Sequence, residues 1–142
     1  MSVMKRLHPV SRSKERQLEE IQEIFLKLGK KSMETVVIVE GKKDRSALRK
    51  LGVEGKIVCM KNSSQILFDF LDQLKCREVI LLVDFDEYGS FLARNITRYL
   101  EGKRVKVNSV FWKRIRSLVR RYVKDVEGLP SYLEKLKKSP HS

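Results

Sequence analysis

The chain has 142 residues, of which 42% are apolar and 35% charged. That fits one domain with a hydrophobic core and excludes wholesale disorder. Lys and Arg number 31 against 18 Asp and Glu, a net charge of +13, which points to a polyanion such as nucleic acid, the ribosome or a membrane surface. Two cysteines, Cys59 and Cys76, exclude a disulfide framework and a four-cysteine zinc site, and both read as reduced core thiols. No apolar run approaches the ~18–20 residues that span a bilayer, and the basic N-terminus lacks the apolar stretch of a secretory signal. The expectation is a soluble cytoplasmic protein with no membrane and no disulfide-linked partner.

Met1 to Ser13 is basic and aperiodic and reads as a flexible arm. Helical spacing of Leu18, Ile21, Ile24 or Phe25, and Leu28 predicts a helix from Lys14, capped by Ser13 and stopped at Gly29. Lys30 to Glu34 reads as a linker. Thr35-Val-Val-Ile-Val-Glu40 is β-branched at nearly every position, the pattern of a strand buried on both faces. Lys43 to Leu51 reads as a helix with Gly52 as its C-cap, and Lys56 to Met60 as a second strand. Asn62, Ser63 and Ser64 are N-cap types before a helix over Gln65 to Lys75. Glu78 to Val83 is a third buried strand ending at Asp84. Tyr88 to Leu100 reads as a helix, Arg104 to Val110 as a fourth strand, and Trp112 to Lys124 as a basic helix. Ser131 to Glu134 forms a capping box for a last short helix.

This alternation predicts an α/β fold, with about four parallel strands in a Rossmann-like sheet and helices on both faces. Three regions follow: a basic arm and N-terminal helix over 1–33, an α/β domain over 34–111, and a basic helical extension over 112–142 within the same globular unit. Net charge is +3 over 1–34, +2 over 35–100 and +8 over 101–142.

In an open α/β sheet, ligands gather at the carboxyl ends of the strands. The first strand ends in Glu40-Gly41, with Asp44 just beyond. The third ends in Asp84-Phe-Asp86-Glu87-Tyr-Gly89. If those strands are adjacent, Glu40, Asp84 and Asp86 converge. Uncompensated, such a cluster costs several kcal/mol. A hard divalent cation relieves it, and Mg2+ is typically held by one or two carboxylates plus substrate phosphate.

Val37-Ile-Val-Glu40-Gly41-Lys-Lys-Asp44 and Leu82-Val-Asp84-Phe-Asp86-Glu-Tyr-Gly89 resemble the two motifs of the Toprim domain. That domain occurs in topoisomerases, bacterial primases, nucleases, recombination proteins and the bacterial ribonuclease that matures 5S ribosomal RNA. The likeness is greatest to small stand-alone archaeal proteins described as primase-like. Val123-Lys-Asp-Val-Glu-Gly-Leu-Pro130 also resembles that group. The Toprim resemblance covers roughly residues 34–111.

The resemblance implies that Glu40 is a general acid or base and that Asp84 and Asp86 hold Mg2+, with Mn2+ as a substitute. Gly41 and Gly89 match glycines that turn the backbone sharply beside a phosphate. Asp44 matches an acid frequent in ribonuclease-like members, which implies either a ligand to a second metal or a residue supporting the metal ligands from behind. Phosphodiester cleavage needs charge neutralisation and a proton shuttle, and these residue types supply both. Tyr88, Tyr99, Tyr122 and Tyr132 read as packing residues rather than topoisomerase nucleophiles. A complete primase needs a zinc module that two cysteines cannot build. His8 and His141 show no metal spacing.

Lys103, Arg104, Lys113, Arg114, Arg116, Arg120, Arg121 and Lys124 read as a stripe that binds nucleic-acid backbone. Ile115, Leu118, Val119, Tyr122 and Val123 are expected on its inward face. Lys42 and Lys43 join the binding set beside Gly41. Lys5, Arg6, Arg12, Lys14 and Arg16 read as a second contact that orders on binding. Phe111 and Trp112 read as core anchors. The function expected is a Mg2+-dependent phosphodiester hydrolase, a structure-selective ribonuclease acting on RNA such as ribosomal RNA. Its rivals are a non-catalytic RNA- or ribosome-binding protein and a primase-like nucleotidyl-transfer accessory protein.

Overall fold

The computed structural model describes residues 9–60 and 67–138, with side chains from Lys14 onward in the first segment and from Phe68 in the second. Lys5, Arg6, His8, Asn62, Ser63, Ser64 and His141 lie outside the described residues, as does the side chain of Arg12.

The elements in order are α1 (Pro9–Ser32), β1 (Val36–Val39), α2 (Lys42–Lys50), β2 (Lys56–Cys59), α3 (Leu67–Asp72), β3 (Glu78–Leu81), α4 (Glu87–Gly102), β4 (Lys106–Asn108), α5 (Val110–Val119), a short 3-10 turn (Val126–Gly128) and α6 (Leu129–Lys138). The four strands form one all-parallel sheet in the order β2-β1-β3-β4. The central strands β1 and β3 pair Val36 with Val79 and Ile38 with Leu81. Both are buried on both faces, which is why their sequences run apolar without alternation.

From β1 the chain crosses to β2 on one side. It then returns past β1 to β3 and continues to β4 on the other. Right-handed crossovers in opposite directions put α2 and α4 on opposite faces. On the α4 face, α3 is tied to α4 by the Tyr99 hydroxyl, which donates to Asp72, and by the contact between the Phe68 and Tyr99 rings. α1 packs against α5 and α6, and α2 against the 3-10 turn and α6. Gln17 of α1 fastens the C-terminal helices, donating from Nε2 to the Leu118 carbonyl at 2.8 Å and to the Tyr132 hydroxyl. Residues of α5 and α6, among them Ile115, Val119, Leu129 and Leu133, belong to the same core as Ile21, Leu28 and Ile38.

Several boundaries differ from those expected. α1 begins at Pro9, which suits a first helical position because its missing N–H needs no partner there. The backbone of 9–13 is therefore helix, not free arm. α1 also runs through Gly29 to Ser32. A Cβ on Gly29 would lie 2.9 Å from the Gly52 carbonyl oxygen, so this glycine serves close packing against the α2–β2 turn and does not end the helix. β4 is three residues long, and Val110 already starts α5. Arg104 stands before β4 with φ 64°. α5 stops at Val119, leaving Arg120, Arg121 and Lys124 in the turn beyond it. α6 starts at Leu129, so Ser131 lies inside the helix instead of capping it. Among the described residues no helix is long and apolar enough to cross a membrane.

Candidate functional site

β1 and β3 are neighbours from which successive crossovers leave in opposite directions. The crevice at their carboxyl ends is the switch point of the sheet. Glu40 follows β1 and is 5% exposed. Its Oε2 accepts a hydrogen bond from the Asp84 backbone N–H at 3.0 Å, joining the ends of the two strands. Asp44, in the first turn of α2, accepts from the Gly41 N–H at 3.1 Å and is also buried. Asp86 caps α4, its Oδ1 accepting from Gly89 N–H at 2.8 Å. Glu87 is exposed in the first turn of α4.

Burial pushes the half-buried Asp84 carboxyl up to about 7, helped by the negative charges of Glu40, Asp44, Asp125 and Asp86. Asp44 is raised for the same first reason. The Gly41 N–H opposes that rise, while Glu40, Asp125 and Glu127 add to it. Asp125, which sequence reasoning missed, thus joins the acidic cluster from the C-terminal extension. Its Oδ1 caps the 3-10 turn by accepting from Gly128 N–H at 2.8 Å. The stretch holding it was legible as a resemblance, but its approach to β3 depends on how the extension packs.

The loop from Asp84 to Asp86 is gripped from the extension as well. Trp112 Nε1–H donates to the Val83 carbonyl at 2.9 Å and reaches the Asp84 carbonyl at 3.2 Å. Arg116 Nε–H donates to the Phe85 carbonyl at 3.0 Å, with its guanidinium 5.6 Å from the Trp112 ring centre. Phe85 N–H donates to the Lys124 carbonyl at 2.7 Å. Gly89 is forced by close approach, since a Cβ there would lie 1.9 Å from the Asp84 carbonyl oxygen. Gly41 differs: its φ of −145° suits any residue, and a Cβ would meet nothing within 4 Å. Neither glycine makes the sharp turn expected: Gly89 lies in the first turn of α4, where close approach excludes a Cβ, and Gly41 is extended.

The Toprim-domain profile matches residues 35–110, more than half of the chain. The chain belongs to the Toprim family. A UPF0292 protein from Methanocaldococcus jannaschii is 36% identical over 118 residues, covering 82% of this chain and 92% of the relative. One from Thermoplasma volcanium is 39% identical over 108 residues, covering 75% and 88%. These relatives are small archaeal proteins. A solved structure from Aquifex aeolicus aligns with a TM-score of 0.62 and 28% identity, covering 74% of this chain and 94% of that one.

Toprim domains generally bind Mg2+, and the donor set here fits a hard cation. It is all carboxylate oxygen, half-buried at Asp84, and under mutual repulsion that a divalent charge would relieve. Among the described residues no group of three His, Cys, Asp or Glu is already assembled as a metal cage. Mg2+ does not need one, because it keeps several waters and takes further ligands from phosphate.

The basic residues around this Toprim site do not form one stripe. Lys42 and Lys43 line a hollow at the start of α2 with Lys50 and Glu127. Lys103 pairs with Asp72 at 2.8 Å and lies over the Tyr99 ring. Arg114 is exposed. Arg120 and Arg121 line a hollow with Gln17 and Tyr122. Arg116 is half-buried by its bond to the loop, and Lys124 meets that loop through its backbone. Of the expected inward face, Ile115, Val119 and Val123 are buried, but Tyr122 is 63% exposed and stacks on Tyr132. Trp112 is a core anchor as expected, and Tyr88 is not the packing residue expected. Sequence reasoning also missed Arg94 and Arg98 of α4, which face Lys113 and Arg116 across a groove.

Proposed function

We propose that this Toprim protein is a Mg2+-dependent nucleic-acid phosphodiester hydrolase, and that it acts on structured RNA such as ribosomal RNA. The observation that carries the reading is the hydrogen bond between the Glu40 carboxylate and the Asp84 N–H. It fixes a glutamate beside half-buried Asp84 at the switch point of the sheet. Membership of the Toprim family supports metal-dependent phosphodiester chemistry. RNA is favoured through the resemblance to the ribonuclease that matures 5S ribosomal RNA.

In this reading Asp84 and Asp86 would hold the metal, with Asp44 and Asp125 behind them. Bound there, Mg2+ supplies neutralising charge at the phosphoryl group. Glu40 is oriented by the Asp84 N–H and moves a proton at its carboxylate, to or from the reacting oxygen. Trp112 and Arg116 keep the Asp84–Asp86 loop in one position, so the carboxylates need no reorganisation on binding. The cations on α2, α4 and α5 hold the backbone.

The test is cleavage of a structured RNA, such as precursor ribosomal RNA, with and without Mg2+. Asp84→Asn and Glu40→Gln are expected to lower the rate by at least about a hundredfold while RNA affinity is kept. Full activity in either variant, or binding without Mg2+-dependent cleavage by the wild type, would sink the reading. The latter outcome would make this an RNA-binding protein.

A further inference from the structure

We propose that the groove between α4 and α5 carries a single-stranded stretch of the substrate, and that Tyr88 and Phe91 form the platform on which its unstacked bases rest. The proposal deepens the function proposed above and rests on it for the identity of the polymer.

The groove has a volume of about 530 Å3. Arg94 and Arg98 line it from α4, and Lys113 and Arg116 from α5, against one carboxylate, Glu101. Arg94, Arg98 and Lys113 are exposed, and among the described residues none of them makes an ion pair. Arg94 and Arg98 stand four residues apart on one helix face, where like charges repel. Glu101, three residues beyond Arg98, is the one carboxylate in the groove, and among the described residues it closes no ion pair with either arginine. A run of phosphates would offset the repulsion.

The groove leads to the acidic site. Ser90 lines it, and the Ser90 N–H and hydroxyl both donate to the Asp86 carbonyl, at 3.0 and 3.3 Å. Outside the groove lining, on the adjoining surface of the same first turns of α4, stand Tyr88 and Phe91, 62% and 53% exposed, with ring centres 6.5 Å apart. Phe91 lies one turn from Arg94. Two open aromatic faces followed along the helix by cations match what a single strand needs. Every base has a face to stack, and each phosphate meets a charge. A base inside a duplex is already stacked on both sides and cannot use such a platform.

The experiment is fluorescence anisotropy with a labelled RNA strand of about 12 nucleotides and the same sequence as a blunt duplex. All proteins carry Asp84→Asn, so that turnover cannot intervene. The single strand is expected to bind about tenfold tighter than the duplex. Arg94→Ala with Arg98→Ala should weaken it about tenfold and reduce the slope of log affinity against log salt by about 1.4, the loss of two phosphate contacts. Tyr88→Leu with Phe91→Leu should weaken it about 5- to 100-fold with the slope unchanged. Lys135→Ala with Lys138→Ala, at exposed positions of α6, controls for bulk charge and should change affinity less than twofold. Equal affinity for the duplex, groove variants that bind as tightly as their parent, or a control that loses as much as they do would overturn the path. The catalytic reading fails separately. Groove-dependent single-strand binding by a protein whose wild type never cleaves upholds the path and rejects the hydrolase.

Discussion

Asp84 is where the fold accepts an electrostatic cost. Its carboxyl ordinarily titrates at 3.8 and is pushed up to about 7 by burial and by four acidic neighbours. Between those values the folded chain keeps a proton that the unfolded chain releases. Stability from this group is therefore present below about pH 4 and is lost as pH rises through about 7. Without divalent ions, the melting temperature should fall across that window more steeply in the wild type than in Asp84→Asn. Mg2+ should restore it above pH 7 in the wild type alone. Parallel pH profiles for the two proteins would contradict this. Gly89 is the other single-residue constraint. A Cβ 1.9 Å from the Asp84 carbonyl oxygen must move the loop, so Gly89→Ala should cost at least ~1–3 kcal/mol in urea unfolding. It should also weaken Mg2+ binding, whereas Gly41→Ala, with open space around it, should fold normally.

At the scale of elements, α5 holds the Toprim loop through Trp112 and Arg116. Trp112→Phe keeps an aromatic side chain but removes the N–H and part of the ring volume, leaving the Val83 and Asp84 carbonyls short of a donor. It should cost ~1–3 kcal/mol and lower catalysis more than RNA affinity. Gly29 gives a test of sign. In an ordinary helix, alanine is about 1 kcal/mol better than glycine. Here the methyl would lie 2.9 Å from the Gly52 carbonyl oxygen, so Gly29→Ala should destabilise on denaturant titration. These two positions also show what the sequence could tell. The buried strands were legible because Val36 to Val39 and Val79 to Leu81 are apolar on both faces, and their carboxylate ends followed. Gly29 misled because a glycine chosen for close packing looks the same in sequence as one that stops a helix. Only the α2–β2 turn lying against it tells them apart.

For the whole molecule, the sheet order decides what meets. Adjacency of β1 and β3 brings Glu40 to Asp84, and alternating strand and helix patterns with acidic strand ends made that legible. The basic surface was less so. Charge summed along the chain put the excess in the last third, but the groove draws one wall from α4, in a segment carrying only +2. Helix faces that meet in space leave no mark in segment totals. Asp125 was hidden for the same reason, because it reaches the acidic site only after the extension packs on α1 and α2. The extension belongs to the core, so removing residues from 110 onward should abolish cooperative unfolding as well as activity.

The most direct measurement is crosslinking and sequencing of RNA bound to the protein in its own cells, with Asp84→Asn beside the wild type. Discrete RNA ends are expected in the wild type, with the uncleaved precursors of those ends bound and accumulating in the variant. Identical footprints on mature RNA in both proteins, with no precursor gained, would contradict this and leave the carboxylates at Glu40 and Asp84 with a structural role.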